Sequence, residues 1–507
     1  VSEAIPPAEL FEPGSPPEQG LAQAAVGGVA WQGFSYLLGK LLVLASTVIL
    51  ARVLTPDDFG IVALALLFIT YVEIASDLGV AQALIYLPRT QERTDAALTI
   101  AMLFSTFLVL IGLLSAPAVA AFFGQPEIAS MFRVLSLSLL VAGTGQVPDA
   151  LLRKELRFRQ RVKADIARST ANGVTAIALA LAGFGPWAIV IGYLTAGVVW
   201  SSVLWIMVDY RPGRGFWRVW RVRWEVARPL LSYGVPAAAN GVLLSLVFDV
   251  DYLIVGRRLG AEALGYYALA FRIPEMVIIN VFYVLSAVAF PVLSRTSHDL
   301  PRLRRGYLRT VRLQTVYGVG AGVGMAVVAP FLVMVLFGSK WIPSIVPLEA
   351  LALYAAFRSL GIGAVDVYKA LGRPGLAVVL SFVRLAVLVP ALVLATTWGI
   401  NGVSWTQAVV ALAMAVLMQA VAWRVLRLPA RSLGPSFGPA LAVGMGVFLG
   451  AGAVRLWLPG SDVVLLVTGV IVGAAGGFLA LRIVDRTFVP EVLELIRLRR
   501  SPTPDPS

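Results

Sequence analysis

A chain of 507 residues that is 59% hydrophobic and only 14% charged is far from the roughly 45–50% apolar, 25% charged make-up of soluble domains, which excludes a soluble enzyme. With no Cys and a single histidine, His298 in a polar run, it offers no disulfide framework, thiolate metal site, cysteine nucleophile or histidine triad. The net charge of +13 would suit nucleic acid in a soluble protein, but basic cytoplasmic loops account for it in a membrane chain, so no nucleic-acid partner is read from it.

The chain opens on an acidic, proline-rich stretch over 1–23 that lacks Lys and Arg, a composition expected of a disordered tail rather than a secretory signal. Hydrophobic runs follow at 24–51, 59–80, 95–123, 127–148, 162–182, 186–208, 230–256, 263–293, 310–337, 345–368, 375–397, 401–423, 435–457 and 462–484. Each approaches the ~20 apolar residues of a spanning helix, so the expected fold is an all-α polytopic membrane protein of about fourteen transmembrane helices. The turns at 183–186 and 398–401 carry no charge and are the two places where a pair of spans reads as one long helix.

Most of the 41 Lys and Arg fall in the loops after even-numbered spans and in the C-terminal stretch, with a handful after the odd ones. That asymmetry places both termini in the cytoplasm. Between spans six and seven, Trp217, Trp220 and Trp224 recur at helical spacing among Arg218, Arg221 and Arg223. This pattern predicts an amphipathic helix lying in the membrane interface, as a connector or as a recruiter of lipid-linked substrate. Residues 487–507 read as a basic, then flexible tail.

The segment 51–65 aligns without gaps on 256–270, at an offset of 205, with six of fifteen positions identical. Six spans are thus followed by six related ones, and an even offset makes the repeats parallel, about an axis along the membrane normal. The units are an N-terminal lobe at 24–210, a linker at 211–229, a C-terminal lobe at 230–426 and two further helices at 427–486. Transporters built on parallel repeats bind substrate between the halves and rock them.

The order ARVLTPDDFGIVALAL (51–66), SDLGVAQALI (76–85), LLRKELRFRQ (151–160), DVDYLIVGRRLGAEALGYYALAFRI (249–273) and AFPVLSR (289–295) resembles the Wzx-type oligosaccharide flippases. These form the polysaccharide branch of the multidrug/oligosaccharidyl-lipid/polysaccharide exporter superfamily. The resemblance implies two six-helix lobes in a V around a central cavity, in the bacterial inner membrane. It also implies transfer of undecaprenyl-pyrophosphate-linked sugar repeats from the cytoplasmic to the outer leaflet, with membrane lipids around it and polysaccharide polymerase and glycosyltransferases as candidate protein partners. A cation-coupled multidrug exporter of the same superfamily is the alternative, against which the cationic central charges count.

Charges inside the bilayer cost about 2.5–3.5 kcal/mol each on insertion scales and mark the mechanism. For the pyrophosphate, Lys40 in span one and Arg272 in span eight are the first candidates, with Arg358 and Arg384 behind them. Asp249, Asp251 and Glu275 either couple transport to a proton or sodium gradient or close a salt-bridge cluster with Arg272. Arg52 and Arg257, matched across the repeat, are expected to pair with Asp57 and Glu262 as an outer gate or as helix caps. Glu73, Asp77, Asp165, Arg168 and Asp366 are expected as an inner gate or as static pairs. Trp31, Gln32, Tyr71, Asn240, Tyr252, Tyr283 and Tyr354 are available to sugars. No Walker motif is present, no cofactor is expected, and Gly318–Gly324 reads as helix packing through small residues.

Overall fold

The computed structural model describes Gly39 and residues 42–213 and 222–491. Residues 1–23 and 492–507, Trp31, Gln32, Lys40, Trp217, Trp220, Arg218 and Arg221 lie outside the described residues, as does the side chain of Asn240. The start of the C-terminal stretch expected to be flexible is instead held, by Glu491 pairing with Arg309 and Arg312. Helices α1 (Leu42–Val53), α2 (Pro56–Ala75), α3 (Val80–Tyr86), α4 (Gln91–Phe123), α5 (Glu127–Ser136), α6 (Ser138–Lys154), α7 (Phe158–Leu181) and α8 (Trp187–Met207) come first. Next are α9 (Trp224–Leu259), α10 (Ala261–Pro274), α11 (Asn280–Arg295), α12 (Leu300–Leu336), α13 (Ile345–Ala370), α14 (Pro374–Ala395), α15 (Gly399–Val425), α16 (Leu433–Trp457) and α17 (Asp462–Val484). The described residues contain no strand.

Ten helical stretches among them are long and apolar enough to cross a membrane. The longest, the 52-residue Pro374–Val425, is folded back at Thr396–Trp398, where Gly399 takes φ +66°. The matching turn before α8 uses Gly183 and Gly185, both at positive φ. A side chain would strain all three positions. Helix α7 is not among the ten, its first turns carrying Arg159, Arg161, Lys163, Asp165 and Arg168.

Local sequence explains where helices begin. Thr55 caps α2 through a reciprocal box with Asp58, and Pro56 fills the first helical position. Its counterpart 205 residues on is Gly260, at φ +89°, so the second copy starts its helix by backbone geometry instead. In α12, Gly318 and Gly322 face Ser359 and Ala356 of α13, and Gly320 and Gly324 face Val443 and Val447 of α16. Alternate glycines therefore let α12 approach a helix on each side, the packing role expected of them.

Helices α4–α8 pack on one another, as do α11–α15, and α16 and α17 pack together against α12. Helix α2 lies between the two sets, against α9 and α10. The run α10–α11 is broken by a π turn at Glu275–Ile279. Such a turn releases a carbonyl, and the hydroxyl of Tyr317 on α12 donates to Val277 O.

Candidate functional site

The second helical set gathers three arginines and three carboxylates from α9–α11, α13 and α14. At its centre stands Tyr354 of α13, 2% exposed. Its hydroxyl oxygen accepts from Arg358 Nη1 at 2.9 Å and from Arg384 Nη2 at 3.2 Å. Arg358 lies one helical turn along the same face, whereas Arg384 reaches across from α14. Both guanidiniums stand 6.0 Å from the Tyr354 ring, within cation–π range. Arg358 Nη2 donates on to the Tyr283 hydroxyl at 3.3 Å.

The acidic side is split. Asp251, 1% exposed, accepts from the Tyr267 hydroxyl at 2.5 Å, Gln407 Nε2 at 2.8 Å and the Tyr252 amide at 3.1 Å. It is a saturated acceptor tying α9, α10 and α15 together. Asp249 accepts no hydrogen bond from any described residue. Arg272 pairs with Glu275 at 3.9 Å, both partly exposed. The expected four-membered cluster is thus reduced to this one pair, because Asp251 turns towards α10 and α15.

The charges expected at the two gates pair differently. Arg52 makes no ion pair with Asp57 among the described residues; it donates to Leu336 O at 2.9 Å and to Val335 O at 2.5 Å, the last carbonyls of α12. In return Lys340, just past α12, donates to Arg52 O and Leu54 O at 3.0 and 2.6 Å, and Trp341 Nε1 to Ala51 O at 2.8 Å. Each helix end leaves carbonyls without intrahelical partners, and here α1 and α12 cap each other. Arg257 lies over the Phe122 ring at 5.3 Å, and Glu262 accepts from Tyr266 at 3.0 Å. Beside this junction α2 and α10 meet backbone to backbone. A Cβ at Gly60 would lie 1.7 Å from Ala261 O, and one at Gly265 would lie 1.9 Å from Pro56 O.

Of the residues expected at the opposite end, Glu73 and Arg168 do meet, at 3.9 Å, with Tyr193 donating to Glu73 and Trp200 under the guanidinium. Asp165 sits beside Arg161. Asp77 is a local cap, accepting from the Gly79 and Ala81 amides at 3.0 and 2.9 Å. Asp366 accepts from Ser286 at 2.8 Å. None of these crosses between the two sets. The contact that does cross is Gly79, φ +69°, whose Cβ would lie 2.1 Å from Gly234 O. Beyond it Tyr86 stacks on Tyr233 at 5.1 Å. The chain leading to α9 is held nearby, where Asp95 accepts from the Gly213 amide and from Tyr210. Burial, with that carboxylate beside it, keeps the Tyr210 phenol above its usual pKa and so a donor.

The long apolar helices define a multi-pass membrane protein, with the fold of the multidrug/oligosaccharidyl-lipid/polysaccharide superfamily. The chain is similar to the lipid II flippase MurJ in an inward closed conformation, with 13% identity over 90% of this chain and 99% of that one, TM-score 0.70. A multidrug resistance MATE family transporter, inward-facing, gives 17% identity over 79% and 98%, TM-score 0.64. Residues 49–346 match the family described as polysaccharide biosynthesis protein, and the chain belongs to that family. Similar relatives are the teichuronic acid biosynthesis protein TuaB of Bacillus subtilis (23% identical; 70% of this chain, 73% of the relative) and the lipopolysaccharide biosynthesis protein WzxC of Escherichia coli (25%; 74% and 75%). The succinoglycan biosynthesis transport protein ExoT of Rhizobium meliloti is 27% identical over 63% and 64%. The chain is a polysaccharide transport protein of the Wzx flippase type, not an enzyme.

Proposed function

We propose that this protein carries a polyprenyl-pyrophosphate-linked oligosaccharide from the cytoplasmic to the outer leaflet of the bacterial inner membrane. Fourteen spans form two six-helix lobes, 24–210 and 230–426, with 427–486 as a peripheral pair and both termini cytoplasmic. The charge asymmetry of the loops supports that orientation, and it puts the Gly60 contact at the outer face and the Gly79 contact at the inner one. The lobes open alternately at these ends.

The observation that carries the reading is the convergence of Arg358 and Arg384 on one oxygen among apolar helices. Two guanidiniums at that depth repel each other and are costly to desolvate. They are suited to an anion of more than one charge, and guanidinium forks match phosphate oxygens. The pair therefore takes the place first considered for Arg272, because two guanidiniums meet at one point here and only one stands there. An organic cation would be repelled here, which disfavours the multidrug exporter. Asp249, without a hydrogen-bond donor among the described residues, is the better candidate than the saturated Asp251 for coupling to a proton or sodium gradient.

Reconstitution into vesicles tests this, reading the appearance of a short polyprenyl-pyrophosphate glycan on the far leaflet. Wild type should transport, and Arg358→Ala and Arg384→Ala should each lose about tenfold or more, since a lost charged hydrogen bond costs about 1.5–3 kcal/mol. Unimpaired flipping by both variants would move the anion site elsewhere. Efflux of organic cations with no glycan transport would favour the exporter.

A further inference from the structure

Tyr354 is expected from sequence to be available to sugars, but at 2% exposure it has almost no surface to offer a sugar. Its hydroxyl instead has a specific task. A phenol oxygen has two acceptor lone pairs, and both are occupied, by guanidiniums from different helices. The ring that carries this oxygen is fixed by its α13 backbone and by Phe271 of α10, 5.9 Å away. Arg358 is steadied a second time by Tyr283 of α11. Each arginine alone has several rotatable bonds and about 2 kcal/mol of rotamer entropy to lose on binding an anion.

We infer that Tyr354 is a positioning residue: its hydroxyl holds Arg358 and Arg384 against their mutual repulsion, presetting them as a paired clamp for the two phosphates of a diphosphate. The inference rests on the reading of these arginines as the pyrophosphate site. The ordering of the two side chains is completed before substrate arrives, so less binding energy is spent on it. A glycan on a monophosphate carrier is a phosphodiester with one negative charge, whereas on a diphosphate carrier it has two, so the second guanidinium adds more to the diphosphate. Tyr354 therefore sets the preference for diphosphate over monophosphate carriers without touching either.

The test compares transport of the same glycan on a polyprenyl pyrophosphate and on a polyprenyl monophosphate, in vesicles holding the full chain. Tyr354→Phe keeps the ring and removes the oxygen. For the diphosphate, KM should rise about tenfold or more, the scale of a lost hydrogen bond to a charged group, with kcat within about twofold. KM for the monophosphate should hardly move, so the diphosphate preference shrinks. Tyr283, 54% exposed, supplies a variant tolerant in folding: Tyr283→Phe should raise the diphosphate KM by a smaller factor, about twofold, since one neutral acceptor is removed from a charged donor. Normal KM and preference in Tyr354→Phe, with Arg358→Ala and Arg384→Ala still impaired in KM, would overturn the positioning role and leave the site standing. Equal losses of kcat for both carriers, without a change in preference, would also overturn it, marking Tyr354 as a plain tie between α13 and α14. Arginine variants with an unaltered diphosphate KM would instead overturn the underlying site.

Discussion

The stretch from α2 through α3 touches the second helical set at two ends, and the two contacts are built on different principles. At the Gly60 end the partners are copies of each other. Gly60 faces Ala261 O and Gly265 faces Pro56 O, and the offset of 205 carries Gly60 onto Gly265 and Pro56 onto Ala261. The contact is self-reciprocal, as across a two-fold axis. At the Gly79 end the partners are unrelated. A left-handed pair, Leu78 and Gly79, presses on Gly234, Tyr86 stacks on Tyr233, and Leu230 is buried among Val80, Leu84 and Leu151. The same offset takes Gly79 to Val284, which is 40% exposed. A duplicated sequence supplies a symmetric seam for free. The opposite seam had to be assembled from what α3 and α9 each present.

The sharpest way to break this comparison is at the symmetric end. Gly60→Leu and Gly265→Leu each drive a side chain into a backbone carbonyl, and overpacking of about 1–3 kcal/mol translates into roughly tenfold or more in the closed population. The chain has no cysteine, so Ala51→Cys, buried at the α1 end, reports opening through labelling by an impermeant thiol reagent. Both variants should raise labelling to a similar extent; a rise in only one would deny the contact its reciprocity.

At the asymmetric end, Gly234→Val crowds Leu78 O, 2.5 Å from the added Cβ. It should open that end severalfold, a somewhat smaller overpacking effect, read by labelling of Leu230→Cys while the Ala51→Cys reporter stays protected. Simultaneous exposure of both reporters would mean that the ends are not independent. The smallest effect is expected from the aromatic pair. A double-mutant cycle on Tyr86→Ala and Tyr233→Ala should give a coupling of about 0.5–1.5 kcal/mol, measured from the labelling equilibrium of Leu230→Cys, and additivity would reduce the stack to a bystander.

How far the sequence reveals this molecule depends on what kind of information an interaction uses. Hydrophobic length and the glycine hairpins are carried along the chain, so most of the long helices, the fold-backs near 183–186 and 398–401 and the packing use of Gly318–Gly324 are readable in advance, whereas the break of the second run at 76–79 and the π turn in the eighth are not. Pairing across helices is not, because it depends on rotation and depth. Arg52 and Arg257 stand near carboxylates in sequence, yet one caps α12 and the other covers Phe122. Lys340 and Trp341 escape notice because the groups they satisfy are backbone carbonyls of α1, which no side-chain pattern advertises. Tyr354 is visible as a tyrosine but not as the point where two arginines from different helices meet. Lys40 falls outside the described residues, and its part in the site remains a proposal of the sequence alone.

The π turn at Glu275–Ile279 governs aim. An α-helix advances about 100° per residue, and a π turn accommodates one residue more than an α turn does. Every side chain of α11 beyond Ile279 is consequently rotated relative to where an unbroken helix would point it. Tyr283 is among them, and it is this phase shift that brings its hydroxyl to Arg358. The wide turn works as a sighting adjustment set into the helix, upstream of the residue it directs.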